Sequence, residues 1–204
     1  MSEDERHALE ASWMAFVIKR ADMGEVASWW REIDRRYSEP HRHYHTLGHV
    51  REMLQLVSGE APIAAAWFHD IVYDPTRTDN EDASARIAAV ALREAGFSVI
   101  TVDRVIRMIR ATADHDPKDL PAQARLFVDA DLAIFGASRE HYVEYCDAIR
   151  REYAYLSDAE FREQRNAVLD RFLSRPQIYF TEPMRDRFEQ QARANIGWEI
   201  DCTV

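Results

Sequence analysis

The chain has 204 residues, of which 47% are hydrophobic and 30% are charged, and its formal net charge is −10. This balance is typical of a globular protein with a sizeable buried core and argues against a disordered chain. The acidic charge and the lack of a long basic run argue against duplex nucleic acid or a membrane surface as a partner. Two cysteines without a CxxC spacing, and a charged first ten residues, predict a cytoplasmic protein in a reducing compartment.

Helical patterns follow one another along the chain, whereas strand-like alternation is nearly absent. Apolar side chains recur at helical spacing in residues 22–37, where Asp22 is the predicted N-cap. Residues 49–57 continue as a helix, and an apolar helix over 63–73 follows, opened by Pro62 and ended by Asp74 and Pro75. Later helices are predicted within 79–96, 101–116, 122–136, 138–156, 157–173 and 181–200. The sequence thus predicts an all-α protein of nine or ten helices in one domain, residues 1–204.

Metal-type ligands interrupt three of these helical segments. They are His45 and His49, then the dipeptide His69-Asp70, then Asp129 and Asp131. A carboxylate is rarely buried unless it is paired or coordinated, so the three interruptions predict one shared metal site. Imidazole and carboxylate together suit Mn, Fe, Zn or Ni, or Mg with waters. The alternative for each aspartate is that it caps a neighbouring helix or pairs with an arginine.

The order of these ligands resembles that of the HD superfamily of metal-dependent phosphohydrolases, in which a histidine, a His-Asp pair and a later aspartate follow one another. The matching residues are His49, His69-Asp70 and Asp131. The stretch "YHTLGHV" is also similar to the Tyr-His-Asn-x-x-His signature of cyclic-nucleotide phosphodiesterases. The resemblance spans roughly residues 37–197, with its central motifs at 41–135, and is strongest to a stand-alone branch of the superfamily. It implies an HD-type helical bundle in which His49 is a ligand and His45 a proton donor.

The sequence departs from the patterns of particular branches of the superfamily, and these departures bear on the expected activity and number of metal ions. Thr46 replaces the phosphodiesterase asparagine, and Tyr73-Asp74 replaces the acidic pair of the guanosine-tetraphosphate hydrolases. His115 is the single histidine between the His-Asp pair and Asp131, whereas the di-iron branches have more. The loss of the first acid argues against the guanosine-tetraphosphate activity, and the low histidine count favours one tightly bound ion. A weaker second ion on Asp70, His115 and Glu81 is an alternative that the sequence leaves open.

Three residues are candidates for proton chemistry beside the ion. His45 is the predicted general acid, with a second ligand or a structural histidine as alternatives. Asp74, taken to lie one helical turn beyond Asp70, would orient a water, or would simply end its helix. Glu81, in "TDNEDASA", is a catalytic candidate through the resemblance, and its alternative role is to stabilise a helix N-terminus.

Five further residues are predicted to bind the substrate. They are Arg42, Tyr44, Asn80, His115 and Arg150. A guanidinium binds phosphate oxygens well, although Arg42 and Arg150 have surface roles as alternatives. Asn80 has helix capping as its alternative, and His115 an exposed helix-end position.

The function expected from this pattern is metal-dependent hydrolysis of a small phosphate ester, with a nucleotide as the expected substrate. Two alternatives are a nucleotide-binding regulatory module without catalysis and, with less support, a di-iron oxygenase on the same scaffold. A homodimer through the apolar C-terminal helices is also compatible with the sequence.

Overall fold

The protein is described by a computed structural model over residues 1–18 and 23–202. Within these residues the chain forms ten α-helices, one short 3₁₀ helix and no strand. The prediction of an all-α protein with nine or ten helices is therefore confirmed. The predicted cap, Asp22, lies outside the described residues.

The chain divides into two compact units, of which the first is Met1–Asp116. Its helices are α1 (Glu3–Val17), α2 (Met23–Tyr37), α3 (Leu47–Leu56), α4 (Glu60–Phe68), α5 (Asn80–Glu94) and α6 (Val99–Arg110). Apolar residues surround α4, which is buried along nearly its whole length. Edge-on contacts of Trp13 with Trp67 and Phe68, each at 5.7 Å between ring centroids, fill the centre of this unit.

The second unit is Pro117–Val204. Its helices are α7 (Ala122–Asp131), the 3₁₀ helix Ala133–Gly136, α8 (Arg139–Glu152), α9 (Asp158–Leu173) and α10 (Glu182–Cys202). The backbone at Gly136 packs so closely on α10 that an added Cβ would lie 2.5 Å from the Phe188 Cβ atom. The single domain expected over residues 1–204 stays a prediction.

The predicted helix over 63–73, which placed Asp74 one turn beyond Asp70, ends too late and is wrong at its C-terminus. Helix α4 begins at Glu60, ends at Phe68, and gives way to turns and irregular backbone over residues 71–79. Pro75 cannot donate to Ile71 in a helix. The Ser84 hydroxyl instead accepts from Val72 N and donates to Val72 O, at 3.1 and 3.2 Å. Asp74 consequently does not lie one helical turn beyond Asp70.

Helix α3 begins at Leu47, after His41, His43 and His45. Thr46 is its N-cap, and the Thr46 hydroxyl accepts a hydrogen bond from Gly48 N at 3.2 Å. His45 therefore precedes the helix, and His49 lies in its first turn. Among the described helices, none combines the length and apolar character needed to cross a membrane.

Candidate metal centre

A single group of potential metal ligands occurs among the described residues, and it consists of His49, His69 and Asp70. One donor atom from each lies within 4.8 Å of the other two. The Asp70 Oδ2 atom is 3.0 Å from His69 Nε2 and 3.9 Å from His49 Nε2. Two helices, α3 and α4, thus bring together the three first-unit residues that the sequence predicted as ligands.

The burial of this group differs from one member to the next. His49 and His69 are buried, whereas the Asp70 side chain retains 16% of its exposure. His69 caps the C-terminus of α4, and Asp70 follows it in a turn. The histidines therefore form the floor of the group, and the carboxylate gives it access to solvent.

A hydrogen bond to the backbone determines which nitrogen of the His69 ring carries a proton. His69 Nδ1 lies 3.1 Å from Ala66 O, and a carbonyl only accepts, so Nδ1 carries the proton. In the neutral ring, Nε2 then presents a lone pair toward a carboxylate oxygen at 3.0 Å. A proton or a metal ion between two acceptors at this separation would relieve their repulsion. Two imidazoles and one carboxylate form a ligand set that fits a divalent transition metal.

His49 is oriented by Tyr44. The Tyr44 hydroxyl lies 3.1 Å from His49 Nδ1, and the two rings are 4.9 Å apart. When His49 Nδ1 is protonated and donates to the phenol oxygen, His49 Nε2 is available on the side of Asp70. Hydrogen bonds of this kind fix the orientation and tautomer of histidine ligands. Tyr44, which was predicted to bind substrate, lies where it orients the candidate ligand His49.

His45 lies beside the group without belonging to it. Its ring stacks on Tyr73 at 4.0 Å and lies 6.2 Å from the His49 ring. Tyr44 meets the same imidazole edge-on at 5.1 Å. The position next to the ligands, held between two aromatic rings, is compatible with a proton donor.

Arg42 is held inside the protein. Its side chain has no exposed surface, and its guanidinium donates to the Glu39 carboxylate and to three backbone carbonyl oxygens. A contact between Arg42 and a phosphate stays a prediction, and these hydrogen bonds give it no support.

Asp74 and Asn80 build the loop between α4 and α5. The Asn80 amide accepts from Asp74 N at 3.1 Å and donates to Asp74 O at 2.8 Å. The Asp74 carboxylate accepts from the Thr76 hydroxyl and backbone N–H, and these hydrogen bonds lower the pKa of Asp74. A carboxylate with a lowered pKa is a weak base, so a turn-forming role suits Asp74 better than proton relay. Glu81 lies half-buried in the first turn of α5.

His115 ends the first unit with an unusual backbone conformation. Its φ of 49° lies in the left-handed region, where residues other than glycine are uncommon. The backbone N–H of His115 donates to Ala111 O, which closes the turn after α6. Its predicted contact with substrate stays a prediction.

Two predicted site residues belong to the second unit. Asp131 is the last residue of α7. Arg150 donates to Tyr153 O, Leu156 O and the Asp158 carboxylate, and so holds the turn between α8 and α9. The ligand role of Asp131 and the substrate role of Arg150 stay predictions.

Asp129 has the alternative role that the sequence allowed for a buried aspartate. Its carboxylate accepts from Phe180 N at 2.8 Å, Thr181 N at 2.7 Å and the Thr181 hydroxyl at 2.6 Å. These donors immediately precede α10, so Asp129 stabilises the start of that helix.

Sequence reasoning did not single out Ser84 or the role of Tyr73. Ser84 binds the loop that follows Asp70, and Tyr73 stacks on His45. A serine on an otherwise apolar, alanine-rich helix face was the one local signal for Ser84, because a buried hydroxyl needs a partner. Nothing in the local pattern indicates the stacking of Tyr73.

Set against models of protein families, curated proteins and solved structures, the chain matches none of them. The assignment of a role to this group therefore depends on its own chemistry.

Proposed function

We propose that the protein is a metal-dependent phosphohydrolase that acts on a small phosphate ester, with a nucleotide as the preferred substrate class. The observation that carries the proposal is the pair of facing acceptors, His69 Nε2 and Asp70 Oδ2, beside a second imidazole. One divalent ion on His49, His69 and Asp70 is the simplest occupant.

A divalent ion at this position would supply Lewis acidity, lowering the pKa of water and polarising a phosphoryl oxygen. His69 and Asp70 would hold that ion with a buried imidazole and a carboxylate that is partly open to solvent, so the substrate would approach from the side of Asp70. His49 would complete the set in the orientation given by Tyr44.

His45 is the proposed general acid. Its ring is next to the ligand group, 6.2 Å from the His49 ring, and it is held by stacking on Tyr73. A proton delivered to the leaving oxygen would make the ester bond easier to break. On this proposal the His45→Gln variant keeps its metal and loses turnover, which separates the acid from the ligands.

The decisive experiment compares His69→Ala with His141→Ala, in protein purified without a histidine tag. His141 is an exposed histidine on α8 and is a matched control. Metal content is measured by plasma mass spectrometry, and hydrolysis is assayed on phosphomonoesters and phosphodiesters with the metal found. We expect about one ion per wild-type chain, retention of metal and activity in His141→Ala, and loss of both in His69→Ala.

Three outcomes would contradict the proposal in different ways. Full activity in a folded His69→Ala protein would exclude the metal-dependent mechanism. Metal and nucleotide binding without any product would favour a regulatory module. Two tightly bound irons with oxygen uptake would favour an oxygenase.

A further inference from the structure

Arg42 links the two chain segments that carry the candidate ligands. Its Nη1 atom donates to His45 O at 3.1 Å and to Asp70 O at 2.6 Å, and Nη2 donates to Ile71 O at 3.2 Å. His45 belongs to the segment that leads into α3 and His49, whereas Asp70 and Ile71 follow α4. The Arg42 guanidinium thus connects the segment before α3 with the segment after α4 by hydrogen bonds.

The end of α4 explains why a guanidinium is needed there. Backbone carbonyl groups beyond the end of a helix have no helical hydrogen-bond partner, and an arginine side chain can donate hydrogen bonds to them. The carbonyls of Asp70 and Ile71 lie just beyond this end, in irregular backbone. Arg42 donates hydrogen bonds to both carbonyls, and these hydrogen bonds hold the backbone of the turn that presents the Asp70 carboxylate.

The surroundings of Arg42 keep it in this position. Its Nε atom donates to the Glu39 carboxylate at 3.1 Å, which balances the buried positive charge. The Tyr37 and Tyr73 rings lie 5.1 and 5.5 Å from the guanidinium carbon, within the range of cation–π attraction. The side chain is fully buried, so a bound phosphate would have to break these contacts to reach it.

From this geometry we infer that Arg42 is a positioning residue, which sets the place of the Asp70 carboxylate relative to His49 through the backbone and does not touch the substrate. The inference rests on the proposed function, because it concerns the same metal group. It replaces the phosphate contact expected for Arg42 with a role in metal affinity.

The second unit offers a matched control in Arg193. Its guanidinium also donates to one carboxylate, that of Glu189, and to three backbone carbonyls, which belong to Leu173, Arg175 and Pro176. Arg193 therefore makes the same kind of contacts as Arg42, and none of its described hydrogen bonds involves His49, His69 or Asp70. Lysine at either position keeps the charge and loses the planar fork.

The test is a Co²⁺ titration followed by visible absorption, on chelator-stripped wild-type, Arg42→Lys and Arg193→Lys proteins, with thermal unfolding measured in parallel. We expect Arg42→Lys to raise the Kd for Co²⁺ by about 10- to 100-fold, the range typical of residues that orient metal ligands. Arg193→Lys should change it by less than about twofold, because it shares no partner with the ligands. A further variant, Arg42→Ala, tests rescue by an added guanidinium. Methylguanidinium should lower the Kd of this variant for Co²⁺, and urea at the same concentration should not.

Each contrary result has a distinct meaning. An unchanged Kd and an unchanged Co²⁺ spectrum in Arg42→Lys would overturn the positioning role and leave the proposed function intact. Wild-type protein that binds no Co²⁺ would overturn the metal site, and with it this inference. An Arg42→Lys chain that fails to fold while Arg193→Lys folds would also overturn it, because Arg42 would then act on the fold as a whole.

Discussion

Asp70 and Asp129 interrupt apolar sequence in the same way, one in each unit, but they face opposite kinds of atom. Asp129 accepts hydrogen bonds from two backbone N–H groups and one hydroxyl. Asp70 faces an imidazole nitrogen that accepts in the neutral ring. Burial raises the pKa of Asp129, and the hydrogen bonds from Thr181 and Phe180 partly offset that rise. The comparison shows that the type of atom facing a carboxylate, rather than its burial, separates a structural acid from a candidate ligand.

The second unit contains a further buried acid whose charge is compensated. Arg165 binds both carboxylate oxygens of Glu199, at 2.7 and 3.1 Å, and the Tyr142 hydroxyl and the Cys146 thiol donate to the same carboxylate. Burial raises the pKa of Glu199, but the hydrogen bonds and charge of Arg165 more than offset it, so the pKa is lowered. Burial, together with Glu199, raises the pKa of the Cys146 thiol to about 12, so this cysteine is not a nucleophile near neutral pH.

The largest effect on the free energy of unfolding is expected when the buried Glu199 carboxylate loses its partner, Arg165. Arg165→Met should lower the free energy of unfolding by about 3–5 kcal/mol, because Glu199 would stay buried without its cation. Urea unfolding at pH 7 measures this loss. Arg107→Met is the control, since Arg107 forms an exposed pair with Asp103 and should cost less than about 0.5 kcal/mol. Equal losses in the two variants would show that the burial of Glu199 does not make its ion pair more important than an exposed one.

The next largest effect is the stabilisation that a metal ion gives when it binds the first-unit group. Mn²⁺ at about 100 times its Kd should stabilise the wild-type protein by about 2.7 kcal/mol, because it binds the folded state. Asp70→Asn should lose this gain, and Asp170→Asn, at an exposed position on α9, should keep it. Thermal unfolding with and without Mn²⁺ measures both. A gain that persists in Asp70→Asn would mean that the ion binds elsewhere.

Local sequence patterns predicted most of the helices and the three first-unit candidate ligands, because periodicity and polar interruptions are local signals. They did not predict what each carboxylate faces. The donors to Asp129 come from Phe180 and Thr181, more than 50 positions further along the chain. The end of α4 was misplaced for a similar reason, since the hydroxyl that replaces its next hydrogen bonds belongs to Ser84 on α5. The buried place of Arg42 likewise depends on carbonyls 28 and 29 residues away.

A smaller effect is expected at the hydrogen bond that orients His49. Tyr44→Phe removes the hydroxyl at 3.1 Å from His49 Nδ1 and keeps the aromatic ring. The Kd for Co²⁺ should rise by about tenfold, since the imidazole loses the partner that fixes its orientation. Isothermal titration measures the change. Tyr155→Phe, at an exposed tyrosine of the second unit, should leave the Kd unchanged, and a similar rise there would rule out a local cause.

The smallest effect concerns a half-buried acid, Glu32, which pairs with Arg35 and Arg36. The hydrogen bond from Arg35 lowers the pKa of Glu32 to about 2 from 4.5, and burial only partly opposes the shift. A carboxylate with a lowered pKa in the folded state adds stability above pH 4.5, and that stability is lost as the pH falls from 4.5 toward 2. Solvent screening limits the contribution, so Glu32→Gln should cost about 0.5–1 kcal/mol at pH 7 and less at pH 3. Urea midpoints at both pH values measure the difference, and a cost that grows on acidification would show that the ion pair is not its source.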